Sequence, residues 1–201
     1  MNPEQRKAYL TMAERRAKPG AGSDPKMLRE RTSHYGVPDL SFLKNQTAFA
    51  VAGGLATRLY MPERMTLDCD ILIEIAELPF VESILEKAGC QKLGSLTIGG
   101  STWRLTDAWN LDVIALDDAW VPAALRDAVG HQDGLRYLTL PYLVIMKLSS
   151  GRVQDLADIS RMLGGADHEA LSATRGTVRQ YRPHDIEDLE SLIRLGTLEY
   201  E

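Results

Sequence analysis

Apolar residues fall in short blocks through the middle of the chain and in helical spacing on either side of it. Residues 2 to 18 are largely polar and read as a short helix, ended by Lys18-Pro19-Gly20 and a loop through Pro25. A second helical stretch is expected around 25 to 34. A turn at Tyr35-Gly36-Val37-Pro38 follows, with Asp39 as the N-cap of a helix running through Asn45. From Thr47 the texture changes. AFAVA predicts a short buried strand, GLATRLY a helix that begins directly on Gly53-Gly54, and TLDCDILIEI a strand with Leu67, Cys69, Ile71 and Ile73 on one face. Pro79 starts an amphipathic helix that Gly89 closes. QKLGSLTIGG and STWRLTD pattern as a hairpin around Gly99-Gly100, and LDVIAL as a further strand. After Asp117 the pattern is helical, through VPAALRDAV, PYLVIMKLSS, VQDLADISRML, DHEALSATRGTVRQY and HDIEDLESLIRLGTLEY. The expected class is α/β (α+β): an N-terminal helical segment over 1–46, a mixed-sheet core over 47–119, and a C-terminal helical bundle over 120–201.

One strand carries charges where a buried strand should not. Side chains alternate faces along an extended chain, so Asp68 and Asp70 project to one side while Cys69 and Ile71 face the other. Two hard oxygen ligands on one side suit Mg2+. Asp112 opens the LDVIAL run, and a neighbouring strand would bring it beside the pair. Three convergent carboxylates are the protein side of a two-metal phosphoryl-transfer site. A lone Asp-x-Asp is a common tripeptide and also reads as a turn cap plus an exposed edge residue. Two features favour the metal: Asp70 interrupts an otherwise apolar run, and a glycine pair stands about one helix upstream. Without Cβ atoms the backbone at Gly53 and Gly54 can bend sharply and approach a ligand closely, and a helix start presents N–H groups to phosphate oxygens. Arg64 is a candidate phosphate contact or a pin for the loop before the strand, and Thr66 a candidate partner for a metal-binding carboxylate. Lys147 lies in an apolar helix, where it would either snorkel to the surface or meet a triphosphate. Arg152, Asp155 and Asp158 share a helix face, as a salt-bridged solvated face or, with Lys147, as a second part of the site.

These residues resemble a known family. Gly53-Gly54, the helix after them, Arg64-x-Thr66-x-Asp68-Cys69-Asp70 and the later Asp112 are similar to the nucleotidyltransferase superfamily that includes DNA polymerase beta, and within it to the small bacterial branch related to AbiEii-type toxins. The resemblance spans roughly residues 47 to 163. It implies that Gly53 and Gly54 hold a triphosphate and that Asp68 and Asp70 bind metals. Asp112 would bind the catalytic metal and activate an acceptor hydroxyl. Lys147, Arg152 and Asp155 fall on a Lys-x4-Arg-x2-Asp-x2-Asp pattern similar to the helical motif that follows the core in AbiEii-like members. The chain departs from the commoner pattern at Gly54, where many members have serine, and at Cys69, where isoleucine or leucine is usual. The implied activity is a Mg2+-dependent transfer of a nucleoside monophosphate from an NTP to a hydroxyl on a protein, an RNA or a small molecule, with an antitoxin as a partner if the chain is a toxin. The alternative is a catalytically inactive nucleotide-binding or partner-binding member of the same fold.

Composition narrows the remaining classes. The chain has 201 residues, 44% apolar and 25% charged, enough for one packed domain with a helical appendage. A formal net charge of −5 weighs against a dedicated nucleic-acid binder, whose footprint is a basic face. No apolar stretch reaches the roughly 20 residues that span a bilayer. Charges near the N-terminus, together with only two cysteines, Cys69 and Cys90, fit a cytoplasmic protein without a disulfide framework. The four histidines show no metal-ligand spacing, and no Ser/His/Asp or Cys/His nucleophile can be assembled.

Overall fold

The computed structural model describes residues 1–17, 36–61, 66 and 68–200. Two compact units are present: Met1–His34 with Thr57–Glu63 and Leu140–Glu201, and Tyr35–Ala56 with Arg64–Thr139.

The second unit is built on a seven-stranded mixed sheet. Its strands are β1 (Ala50–Ala52), β2 (Asp68–Glu74), β3 (Gln91–Ser95), β4 (Gly100–Arg104), β5 (Asn110–Leu116), β6 (Val129–Gly130) and β7 (Arg136–Tyr137), in the spatial order β3-β4-β5-β2-β1-β7-β6. β2 runs parallel to β5 and β1 parallel to β7, and the other neighbours are antiparallel. β2 and β5 form the centre. Both alternate in burial over their first residues and are buried on both faces from Ile71 and Val113 through Ile73 and Ala115. Cys69 is one of these buried positions, and both cysteines are free and buried. The expected hairpin is present, with Trp103 of β4 wholly buried and its indole N–H donating to Ser101 Oγ at 2.8 Å.

Between β1 and β2 lies the short helix α2 (Gly53–Thr57). After β2 a 3-10 turn over Ile75–Glu77 leads into α3 (Leu78–Lys87), which buries Val81, Ile84 and Leu85. Gly89, at φ 80, ends this helix: its N–H donates to Glu86 O and that of Cys90 to Leu85 O, both at 3.0 Å, which satisfies the last carbonyls. α4 (Val121–Asp127) packs on β2.

Three local expectations change. The segment that Asp39 was to cap is a run of turns over residues 41–46: Asp39 Oδ1 does accept from the Ser41 N–H at 2.9 Å, but the bonds that follow are i to i+3. The stretch after Asp117 is not wholly helical, because β6 and β7 form a small hairpin that extends the sheet beside β1. Two residues per strand are too few to show a period. For the same reason the sheet unit reaches Thr139 rather than stopping near 119. The helix expected around 25–34, the stop at Lys18-Pro19-Gly20, Leu67 and Arg64 lie outside the described residues.

The first unit is helical. α1 (Pro3–Arg16) begins with a reciprocal cap, in which Asn2 Oδ1 accepts from the Gln5 N–H at 2.8 Å and Gln5 Oε1 from the Asn2 N–H at 3.2 Å. α5 (Leu140–Ser150), α6 (Val153–Gly164), α7 (His168–Tyr181) and α8 (Ile186–Tyr200) follow. α6 and α8 cross at Gly164 and Gly196, where a Cβ on Gly196 would lie 2.1 Å from Ser160 O, so the two backbones touch. No helix among the described residues is long and apolar enough to cross a membrane.

One buried cation holds α1 to the rest of this unit. Arg6 donates from Nη2 to Asp185 Oδ1 and from Nε to Asp188 Oδ2, both at 2.5 Å. Asp185 is fully buried and also accepts from Arg182. Removing Arg6 would leave buried Asp185 with Arg182 as its remaining guanidinium partner and take from Asp188 the cation it faces. Arg6→Ala is therefore expected to lower the unfolding free energy by about 3 to 5 kcal/mol, read from urea denaturation at neutral pH. A loss below about 1 kcal/mol, the size of an exposed ion pair, would show that the clamp does not hold α1.

Candidate active site

The register of the central strands decides which acidic side chains meet. Asp70 pairs with Asp112 and Asp68 with Asn110 across the parallel β2–β5 ladder. Residues paired in this way share a face, and adjacent strands lie about 4.8 Å apart. Asp70 and Asp112 are thus side by side, with Asp68 one pair along on the same face. All three keep solvent access: Asp68 is exposed, and Asp70 and Asp112 are half-buried. The same rows continue onto β4, where Thr102 pairs with Asp112 and Arg104 with Asn110.

The glycine pair closes the other side of Asp70. β1 pairs Ala52 with Asp70, so Gly53 begins α2 directly beside that carboxylate. Gly53 has φ +54, and a Cβ there would fall 1.8 Å from Asp70 Oδ2, 2.5 Å from its Cγ and 2.9 Å from its Cβ. Glycine is needed at this position twice, for the left-handed backbone and for the room Asp70 occupies. Gly54 fills a similar role toward Thr66, whose Cβ and Oγ1 would each stand 3.0 Å from an added Cβ. Thr66 itself donates to the main-chain oxygen of Asp68 at 3.3 Å, so its described bond goes to the backbone of the strand rather than to a carboxylate. Arg64 lies outside the described residues.

Asn110 is a member of this face that the sequence reading missed. Its Nδ2 donates to Asp68 Oδ1 at 3.1 Å, while its Oδ1 is buried without a hydrogen-bond partner. The spacing Asn110-x-Asp112 carried the signal, because alternation puts both on one face once the strand is known to begin at 110.

The face carries carboxylate oxygens from two neighbouring strands, hard donors of the kind a divalent cation takes. As the side chains stand, no group of three or more His, Cys, Asp or Glu among the described residues is gathered closely enough to hold a metal ion.

Lys147, Arg152 and Asp155 come together as well, within the helical unit. Lys147 is 7% exposed, and its ammonium donates to Asp155 Oδ1 at 3.0 Å and to Asp158 Oδ2 at 2.7 Å. Asp155 further accepts from Arg152 Nε at 2.7 Å and from Ser150 Oγ. The face bearing Asp155 and Asp158 is buried, at 3% and 2% exposure, and is not a solvated salt-bridged surface. Two cations and two carboxylates make the cluster neutral, so the charge expected to serve a triphosphate is already answered by Asp155 and Asp158. Burial alone would push the Asp155 carboxyl up, but the bonds from Arg152 and Ser150 and the Lys147 charge outweigh it and hold the group below its ordinary range.

No family model matches the chain, and no curated relative matches it. Solved structures that resemble it include ANT(2'')-Ia in complex with adenylyl-2''-tobramycin, at 16% identity and a TM-score of 0.44 over 77% of this chain and 92% of that one. A solution structure of the antibiotic-resistance factor ANT(2'')-Ia aligns at 15% identity and 0.44, over 77% of this chain and 86% of that one. The Megavirus polyadenylate synthase aligns at 10% identity and 0.38, over 91% of this chain and 36% of that one. Likeness of this degree concerns the arrangement of elements and carries no chemistry across to this chain.

Two outcomes are expected from these contacts. Gly53→Ala forces a left-handed alanine and a rotation of Asp70, and should lower stability by about 1 to 3 kcal/mol in thermal or urea unfolding; an unchanged midpoint would show that the turn relaxes freely. Asp155 is held below its unfolded value of about 3.9, so its contribution to stability is complete above about pH 4 and is lost as pH falls through the folded value. Unfolding free energies measured from about pH 6 to pH 2 should fall less steeply in Asp155→Asn than in the parent. Identical acid limbs would show that the acid sensitivity comes from other carboxylates.

Proposed function

We propose that the chain is a nucleotidyltransferase, transferring a nucleoside monophosphate from an NTP to an acceptor hydroxyl with release of pyrophosphate. The observation that supports this is the in-register pair Asp70 and Asp112, with Asp68 on the same face and Gly53 against Asp70. Two carboxylates placed side by side repel, and a sheet has no evident use for them unless a cation joins them. Mg2+ is the proposed cofactor, held by Asp68, Asp70 and Asp112, and when bound it would neutralise charge on the phosphates.

In this reading Gly53 and Gly54 leave the strand-to-helix turn free of side chains, so that phosphate oxygens can approach the main chain. Asp112 orients the acceptor hydroxyl and takes its proton. The acceptor oxygen forms a bond to the α-phosphorus, and the bond from that phosphorus to the pyrophosphate oxygen breaks. Lys147, engaged with Asp155 and Asp158, is read as a buried pillar of the helical unit. The acceptor is a protein, an RNA or a small molecule, and a toxin role with an antitoxin partner rests on the sequence resemblance. A second reading, a nucleotide-binding member without catalysis, is favoured by the absence of a gathered three-donor metal group among the described residues.

The deciding experiment incubates the protein with Mg2+, each labelled NTP and a cell extract. Label should pass to one macromolecule or metabolite. Asp112→Asn should keep most NTP binding and lose transfer at least about a hundredfold, because the charge it removes matters most as the acceptor oxygen attacks. NTP binding without label transfer by the parent would select the binding reading, and transfer by Asp112→Asn at the parent rate would sink the assignment.

A further inference from the structure

The row of paired residues that carries Asp70 and Asp112 does not stop at them. It crosses five strands, from Ala52 through Asp70, Asp112 and Thr102 to Gly94 on β3, at the edge of the sheet. On β4 the face of this row is the open one, with Thr102 half-buried and Arg104 exposed, while Ser101 and Trp103 are buried on the other. α3 lies against that other face, where its Glu82 accepts from Lys92, the residue paired with Trp103.

Gly94 is exposed, and neither the backbone nor the packing calls for a glycine there. Its φ is not positive, and a Cβ would meet nothing within 4 Å, whereas one on Gly53 would fall 1.8 Å from Asp70 Oδ2. The register of β3 shifts between Lys92 and Gly94, but the extra residue is Leu93 and no left-handed turn is made at 94. Glycine inside a strand costs about 0.5 to 1 kcal/mol relative to alanine. With no internal reason for that cost, the remaining one is close approach by something outside the strand.

The position has a direction in the proposed transfer. Acceptor and leaving oxygens lie in line on opposite sides of the α-phosphorus. With the pyrophosphate at the Gly53-Gly54 turn beside Asp70, the acceptor oxygen arrives from the Asp112 side. Its proton passes to Asp112, its bond to phosphorus forms, and the bond to the pyrophosphate oxygen breaks. The body of the acceptor then extends over Thr102 and Gly94, two strand spacings or about 10 Å along the row. Thr102 and Gly94 leave a low shelf there, and the longer Arg104 and Gln91, paired with each other, bound it on one side.

We infer that the acceptor lies across β4 and β3, and that Gly94 is a specificity-determining residue that admits it to the face. The inference rests on the nucleotidyltransferase reading of the same face. It assigns Gly94 no part in nucleotide binding.

The test uses the full chain, Mg2+, labelled NTP and a cell extract as the source of acceptor. The variants are Gly94→Ala, Gly94→Trp and, as a control, Ser95→Trp, at an exposed position paired with Ser101 of the other face. Urea midpoints of the Gly94 variants should equal or exceed the parent's, since the added side chain meets open space. NTP affinity should stay within about twofold of the parent's in all three, the spread expected of a side chain remote from the ligand. Gly94→Trp should slow label transfer at least about tenfold at low extract concentration, and the deficit should narrow as extract is raised, the mark of weakened acceptor binding. Gly94→Ala should fall between Gly94→Trp and the parent, and Ser95→Trp should transfer as the parent does. Should Gly94→Trp fail to fold, Gly94→Leu carries the same expectation. Parent-like transfer by the folded Gly94 variant, an equal loss in Ser95→Trp, or a matching loss of NTP affinity overturns the inference and leaves the nucleotidyltransferase reading standing. A parent that transfers no label removes that reading and the inference with it.

Discussion

Strand register is the constraint on which the rest of this site depends. β2 and β5 run parallel with Asp70 opposite Asp112, and every other feature of the face is arranged around that adjacency. Like charges about one strand spacing apart are unfavourable, and the sheet accepts them only at the strand beginnings, where water still reaches both. Further along, the same two strands are buried on both faces by Ile71, Leu72 and Ile73 against Val113, Ile114 and Ala115. That apolar half fixes the register, and the acidic half inherits it. Apolar packing and acidic side chains are divided along the length of one strand pair.

The second support is steric. Gly53 takes a left-handed backbone with the Asp70 carboxylate in the space a Cβ would fill, whereas at Gly54 a Cβ would only crowd Thr66 at 3.0 Å. The glycine pair thereby acts on the carboxylate and on the strand approach before any ligand is considered. The admission of phosphate proposed for it would be an additional role, not the origin of the conformation.

Much of this was legible in the chain, for identifiable reasons. The α/β class, the strands around Cys69 and Val113, the hairpin at Gly99-Gly100 and the four C-terminal helices all follow from hydrophobic period and glycine placement. The shared face of Asp68 and Asp70 follows from alternation alone. What was hidden depends on partners distant in sequence. β7 pairs with the edge that β1 supplies and β6 pairs in turn with β7, and two residues leave no periodic trace. Asn110 becomes part of the face only once the β2–β5 register is known. Lys147 was recognisable as a lysine that the helix would not let out, but its engagement with both Asp155 and Asp158 needed the packing of α5 on α6. No pattern in the sequence separates a buried neutral cluster from a solvated charged face at that spacing.

Parity, rather than residue identity, is what the paired strands keep. Inserting a single residue between Asp112 and Val113 would turn the acid onto the opposite face, among the apolar side chains of that layer. Changing the length of the β4–β5 connection over residues 105–109 does nothing of the kind, because the strands on either side retain their phase. Over evolutionary drift the chain is free to lengthen between its strands and is held rigidly to even steps within them, so the spacing from Asp112 to the buried half of β5 should outlast the sequence of the loop that precedes it.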